Sequence, residues 1–126
     1  MCEISAPVGA IVRVWFPESE SVLVPGPKFR PALVLEVNEM PDGRREVLVA
    51  YGTSQNTHCY ARGEFIVTGG EQHDLDSDTK FRLQRRVWLP LTSDYFCSCG
   101  RQPKPVPLPK SVLLAFYRAA KEARLF

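Results

Sequence analysis

The sequence contains no apolar stretch that approaches the roughly 20 residues needed to span a bilayer. Residues Met1 to Ser5 show no basic segment followed by an apolar core, so no secretory signal peptide is predicted. We therefore expect a cytoplasmic protein with no membrane partner. A length of 126 residues is enough for one domain with its own core and too short for two.

Histidine and cysteine, the side chains that most often bind zinc, are scarce, with two histidines and four cysteines. His58, Cys59, Cys97 and Cys99 are of types that suit zinc, but their spacing is not the recurring Cys-x-x-Cys pattern. In a reducing compartment the cysteines are more often thiols than disulfides. We expect neither a metal nor another cofactor, and a zinc site built from these four residues is the alternative.

Charge is nearly balanced over the whole chain, at +2, but it is unevenly distributed. Residues 71–78 carry four acids and no base, residues 80–86 carry four bases, and residues 101–126 carry six bases against one acid. Local basic patches can hold a nucleic-acid backbone. Solvated faces are the commoner explanation of such charged runs.

Short segments rich in β-branched and aromatic residues predict a mainly β fold with a C-terminal helix. The predicted strands are Gly9–Phe16, Ala32–Val37, Arg45–Tyr51, Glu64–Thr68, and one or two within Lys80–Leu89. Val12, Val14 and Phe16 alternate and should share one face. No helix separates the early strands, so a small, partly open barrel fits the pattern better than an α/β sheet.

The C-terminal quarter reads differently from the rest. Proline at every second position from Pro103 to Pro109 removes backbone donors and predicts an extended connector over residues 101–110. The helix is predicted over Lys110–Arg124, with Ser111 as its N-cap. Its apolar stripe consists of Val112, Phe116, Ala119 and Ala123. We expect a single domain, with a barrel over residues 1–100 and a helix over 111–126 packed on it.

A cationic, proline-flanked turn comes directly before the second strand, at residues 25–31, and a hydroxyl-rich turn follows the third strand, at 52–56. Arg30 and Thr53 therefore could converge on an anionic ligand such as a phosphate. A guanidinium presents a planar fork to phosphate oxygens, but it stays protonated and cannot serve as a general base. The competing interpretations are a surface ion pair for Arg30 and turn capping for Thr53.

Further candidates flank this pair. Thr53 or Ser54 could bind the phosphate or position an attacking hydroxyl, and His58 has an intrinsic pKa suited to accepting a proton. Glu18 and Glu20 lie in the first long loop and could approach the substrate. The candidate substrate-binding residues are Lys28, Phe29, Tyr51 and Gln55, of which the two aromatic rings could stack on unpaired bases.

Taken together, these segments resemble the MazF/PemK toxins of bacterial toxin–antitoxin systems. The resemblance rests on Gly9-x-Ile-Val-x-Val-x-Phe-Pro17, Arg30-Pro-Ala-Leu-Val-Leu35, Val47-Leu-Val-Ala-x-x-Thr53, and two later segments, 75–83 and 86–90. It implies an SH3-like barrel of the MazF/CcdB type, homodimerisation, inhibition by a cognate antitoxin, and metal-independent cleavage of single-stranded RNA. It also implies paired functional roles for Arg30 and Thr53.

Cleavage of this kind needs no metal, because the 2′-hydroxyl of RNA can attack the adjacent phosphorus while the protein stabilises charge and handles protons. Two departures from the family pattern favour other functions: Ala10 stands where members commonly carry an acid, and Cys97-Ser-Cys99-Gly100 is not a family hallmark. The alternative is a catalytically inactive SH3-like barrel that acts as a protein-binding module. A nucleic-acid binder that does not cleave, and that uses the basic tail, is the third possibility.

Overall fold

The computed structural model describes residues 4–19, 24–69 and 77–125, so Glu20 and the first part of the segment 75–83 lie outside the described residues. The strands are β1 (Ala10–Trp15), β2 (Phe29–Glu39), β3 (Arg45–Thr53), β4 (Glu64–Val67), β5 (Thr79–Pro90) and β6 (Val106–Pro107). They form one antiparallel sheet in the order β4-β5-β3-β2-β1-β6, which curls into a half-barrel. This confirms the predicted mainly β, partly open barrel with a C-terminal helix.

The helices are α1 (Ser93–Phe96) and α2 (Leu113–Glu122), and a 3-10 turn at Lys110–Val112 leads into α2. None of the helices in the described ranges is long and apolar enough to cross a membrane. The short helix α1 is absent from the sequence-based prediction. The predicted N-cap was wrong: Ser111 lies inside the 3-10 turn, and no described side chain caps the start of α2.

Alternation along the strands divides the buried residues between two core clusters, one on each face of the sheet. The first contains Val12, Val14, Phe16, Ala32, Val34, Val47, Val49, Leu89 and Phe96. The second contains Ile11, Leu33, Ala50, Phe65, Phe81, Leu83, Ala119 and Ala120. The predicted stripe of α2 packs against the second cluster, so the helix covers one face of the sheet.

Two segments predicted to be loop or connector pair in the sheet. Strand β2 begins at Phe29, not at Ala32, because Phe29 pairs with Trp15 and Arg30 pairs with Val14. The proline-rich connector supplies β6, which pairs with the first two residues of β1 at the edge of the sheet. An edge position suits Pro107, since proline has no N–H to donate to a second neighbour.

Candidate functional site

Arg30 and Tyr51 lie on the same face of neighbouring strands. Ala32 of β2 pairs with Tyr51 of β3, and Arg30 lies two residues before Ala32, so its side chain points to the same side. The guanidinium carbon of Arg30 lies 5.7 Å from the centre of the Tyr51 ring. The ring also packs edge-on against Phe16, with 5.1 Å between centroids, which anchors it to the first core cluster.

Arg85 comes to the same ring from β5, and its guanidinium carbon lies 4.1 Å from the centre of Tyr51. The strand is irregular at this point: Ala50 pairs with Arg86, whereas the next residue, Tyr51, pairs with Arg82. Residues 83–85 therefore have no partner on β3, and a bulge of this kind bends a strand and re-aims its side chains. Arg86 holds the irregularity in place, because its Nη1 donates to the carbonyl oxygen of Leu83 at 2.8 Å.

The turn before β2 brings Lys28 to the cleft that Arg30, Tyr51 and Arg85 line. Gly26 donates its N–H to the carbonyl oxygen of Trp15 at 3.1 Å, which folds the turn back on the end of β1. A Cβ at Gly26 would lie 2.0 Å from the carbonyl oxygen of Phe16, so this approach requires glycine.

Two clefts share Lys28 and Arg30 among the residues that line them. The first, of about 230 Å³, is lined also by Arg13, Phe29, Ser54 and Thr79, among others. The second, of about 210 Å³, is lined also by Phe16, Glu18, Tyr51 and Arg85, among others. The turn before β2, the end of β3 and the bulge of β5 thus supply one continuous surface.

Positive charge dominates this surface. Among the residues that the structure describes, no carboxylate forms an ion pair with Lys28, Arg30 or Arg85. Glu18, which is exposed, is the acid among the residues that line the two clefts. Cations that form no ion pair with a described carboxylate, gathered around a concave surface, attract anions, and guanidinium groups bind phosphate with paired N–H donors.

Thr53 and Ser54 have different environments. Thr53 is 8% exposed, and its Oγ1 accepts a hydrogen bond from the backbone N–H of Gln55 at 3.2 Å. Ser54 is exposed and lines the first cleft with Arg30. Ser54 is thus the hydroxyl residue of this turn that borders the cleft, while Thr53 caps the turn.

Charged side chains of β4 and β5 stabilise the turn that carries Ser54. Asn56 has a left-handed backbone conformation (φ 53°), and its carbonyl oxygen accepts a hydrogen bond from Lys80 Nζ at 3.3 Å. Lys80, which is 8% exposed, forms an ion pair with Glu64 at 3.5 Å. Glu64 in turn accepts hydrogen bonds from Ala61 N at 2.8 Å and Arg82 Nε at 3.0 Å.

These contacts determine the ionisation of Glu64. Burial acts to raise the pKa of its carboxyl group. The hydrogen bond from the Ala61 N–H and the positive charges of Lys80 and Arg82 outweigh burial, so the pKa lies below its ordinary value. Glu64 is therefore a carboxylate that neutralises the buried Lys80 beneath the turn.

The remaining predicted residues do not all meet at the clefts. Phe29 lines the first cleft, and its ring packs on Trp15 with 4.9 Å between centroids, so only part of it is free to stack on a base. Gln55 and His58 are exposed, and neither is among the residues that line the two clefts.

The zinc alternative finds no geometric support. Cys59 and Cys99 are exposed and Cys97 is buried. Within residues 4–19, 24–69 and 77–125, no three histidine, cysteine or acidic side chains come together as a metal site would require.

Sequence reasoning missed Arg85 as part of the site. The basic run from Lys80 to Arg86 was visible, but alternation alone does not tell which of its members a bulge turns toward the cleft.

No protein-family model matches the chain, and no curated protein matches it. The likeness to MazF/PemK toxins is therefore a resemblance of the segments quoted above and stays a prediction.

Proposed function

We propose that the chain is a metal-independent endoribonuclease that cleaves single-stranded RNA, as its resemblance to MazF/PemK toxins implies. The observation that carries the proposal is the position of Arg30, which lines both clefts beside Lys28 and forms no ion pair with a described carboxylate. A phosphodiester bound there meets the planar donor fork that stabilises charge on a pentacoordinate phosphorane.

In the proposed reaction the 2′-oxygen of the RNA forms a bond to phosphorus and the bond from phosphorus to the 5′-oxygen breaks. The products are a 2′,3′-cyclic phosphate and a 5′-hydroxyl end. Glu18 takes the proton of the 2′-hydroxyl, because it is the acid among the described residues that line the clefts, where it borders the second. The departing 5′-oxygen takes a proton from the Lys28 ammonium or from water.

The test is incubation of the purified protein and its Arg30→Ala variant with a long RNA in the presence of a chelator. Removal of one preorganised donor of this kind costs about 10²–10³ in rate, so the variant should lose at least about 100-fold. Arg44→Ala is the matched control, since Arg44 is an exposed arginine on the β2–β3 turn, paired with Asp42 at 2.6 Å. RNA that carries a 2′-deoxy sugar at the cut position should remain whole. Cleavage of that RNA, or loss of activity with the chelator, would contradict the mechanism.

The resemblance also implies a homodimer, a cognate antitoxin and a cytoplasmic location, which we include in the proposal. Size-exclusion chromatography with light scattering measures the oligomeric state directly. Growth arrest on expression, relieved by a small protein encoded next to the gene, would support the toxin–antitoxin assignment. A monomer that has no effect on growth would contradict it.

A binder that does not cleave is the second candidate, and the burial of Thr53 favours it. The Oγ1 of Thr53 is already engaged by Gln55, and His58 lies outside the clefts, so two of the predicted catalytic groups do not face a ligand there. Such a module would use the same cationic surface for RNA or for an acidic protein. Salt-dependent RNA binding without product would identify the RNA-binding form. Tight association with a protein partner in the absence of RNA binding would identify the protein-binding form.

A further inference from the structure

The two clefts share a pair of cations and differ in their other lining residues. Lys28 and Arg30 belong to both, Ser54 borders only the first, and Arg85 borders only the second. Each cleft, at about 230 and 210 Å³, is smaller than the roughly 300–1,000 Å³ typical of sites that enclose a whole small molecule. A ligand that fills both therefore contacts Lys28 and Arg30.

Each cleft has its own donors for an anion. In the first, the exposed Ser54 lines the cleft together with the shared Arg30. In the second, Arg85 takes the place of Ser54, and its guanidinium is oriented by the Tyr51 ring at 4.1 Å. A guanidinium held against an aromatic face loses less freedom when it binds, so it is prepared to accept a phosphate.

We propose that the surface binds two consecutive phosphates of one nucleic-acid strand, one in each cleft, with Lys28 and Arg30 between them. The inference rests on the proposed function for the class of ligand, and it adds the length of strand that is recognised and a role for Arg85. Arg85 binds the second phosphate and fixes the direction of the strand across the surface. It is a substrate-binding residue for the phosphate next to the one that Arg30 and Ser54 hold.

The test measures binding with 2′-O-methyl oligonucleotides, which lack the attacking hydroxyl and cannot be cut. A dinucleotide with free ends has one phosphate and a trinucleotide has two. Affinity should rise steeply from the dinucleotide to the trinucleotide. The slope of log affinity against log salt for the trinucleotide should be about −1.4, at roughly −0.7 for each phosphate neutralised on a single strand.

Arg85→Ala should weaken trinucleotide binding about 5–10-fold and reduce the magnitude of its salt slope by about 0.7, because one phosphate contact is lost. Dinucleotide binding should change less than about 2-fold, because its single phosphate can use the first cleft. Lys104→Ala is the matched control, since Lys104 is an exposed cation of the C-terminal basic segment and is not among the residues that line the clefts. Circular dichroism and the urea midpoint establish that the Arg85 variant is folded.

Equal affinity for the two oligonucleotides, an unchanged salt slope in Arg85→Ala, or an equal loss in Lys104→Ala would each overturn the inference. The outcome is separable from that of the proposed function, because binding is measured without cleavage. If the protein binds the trinucleotide through Arg85 but cuts no RNA, the result contradicts the nuclease proposal alone. If it cuts RNA but does not distinguish the two lengths, the result contradicts the two-phosphate inference alone.

Discussion

The guanidinium of Arg85 lies 4.1 Å from the centre of the Tyr51 ring, while Phe16 packs against the same ring at 5.1 Å. Tyr51 therefore joins the hydrophobic core to a cation at the surface. The contact exists because β5 bulges at the position where β3 passes from Ala50 to Tyr51. The position of this cation thus depends on the packing of an aromatic residue and on the course of two strands.

The contribution of the ring can be measured by substitution of Tyr51. Tyr51→Leu removes the aromatic face for Arg85 and the edge contact with Phe16, and should lower the free energy of unfolding by about 1–2 kcal/mol. It should also weaken binding of single-stranded RNA about 5-fold, because Arg85 is no longer oriented. Tyr51→Phe keeps the ring and is the control, measured by urea unfolding and by fluorescence anisotropy with labelled RNA. If the two variants behave alike, the ring does not orient Arg85.

The role of Thr53 is separable from that of Ser54. Thr53→Val removes the acceptor for the Gln55 N–H and should cost about 0.5–1.5 kcal/mol of stability, whereas Thr53→Ser retains it. If Thr53 acts as a turn cap, RNA cleavage by folded Thr53→Val stays within a few-fold of the parent, while Ser54→Ala lowers it more. Cleavage rates per folded molecule, together with stability from urea titration, decide whether Thr53 is a turn cap or a catalytic group. Loss of cleavage in Thr53→Val at unchanged stability would instead support the catalytic role that the resemblance implies.

Much of the fold followed from local patterns, and much of the site did not. Alternation identified β1 and β3, and the helical stripe of Val112 and Phe116 identified the face of α2 that packs on the sheet. Arg30 could be singled out because its position between a turn and a strand is a local property. The burial of Thr53 and the inclusion of Arg85 depend on pairing between distant strands, which local patterns do not specify.

Other errors have equally particular causes. Phe29 and Arg30 were placed in the turn before the second strand because proline and glycine surround them, but pairing with Trp15 and Val14 draws them into β2. Serine is a residue type preferred at N-caps, yet the chain enters the helix through a 3-10 turn, and Ser111 lies within that turn. In both cases tertiary pairing or a competing turn outweighed local preference.

Stability should depend on pH through Glu64. Its pKa is lower in the folded chain than its ordinary value of 4.5, so its contribution to stability is fully present above about pH 4.5 and is lost as pH falls through the lower folded value. Urea unfolding between pH 6 and pH 3 should show a steeper loss of stability in the parent than in Glu64→Gln. Glu39→Gln, at an exposed position of β2, is the control and should follow the parent curve. A Glu64→Gln curve parallel to the parent would contradict the linkage.

Gly52 should tolerate no side chain. A Cβ there would lie 2.5 Å from the carbonyl oxygen of Pro31 and 3.0 Å from Phe81 Cε1, at the point where β3 passes close to β2 before the turn at Ser54. Gly52→Ala should therefore destabilise the fold by about 1–3 kcal/mol, the usual cost of overpacking. The neighbouring Ser54→Ala should stay within about 0.5 kcal/mol, since Ser54 is exposed. Equal urea midpoints for the two variants would show that the strands move apart at little cost.

The way α2 meets β4 has a consequence for solubility. β4 lies at one end of the sheet order, and the backbone carbonyl of Glu64 accepts a hydrogen bond from Arg118, while Glu122 Oε1 accepts one from the N–H of Gly63 at 2.8 Å. A bare terminal strand offers such groups to any other extended chain and so nucleates polymerisation. Helix α2 therefore also covers the edge strand β4 and keeps it from pairing with other chains. A chain truncated before Lys110 should form fibrils or precipitate where the intact protein stays dispersed.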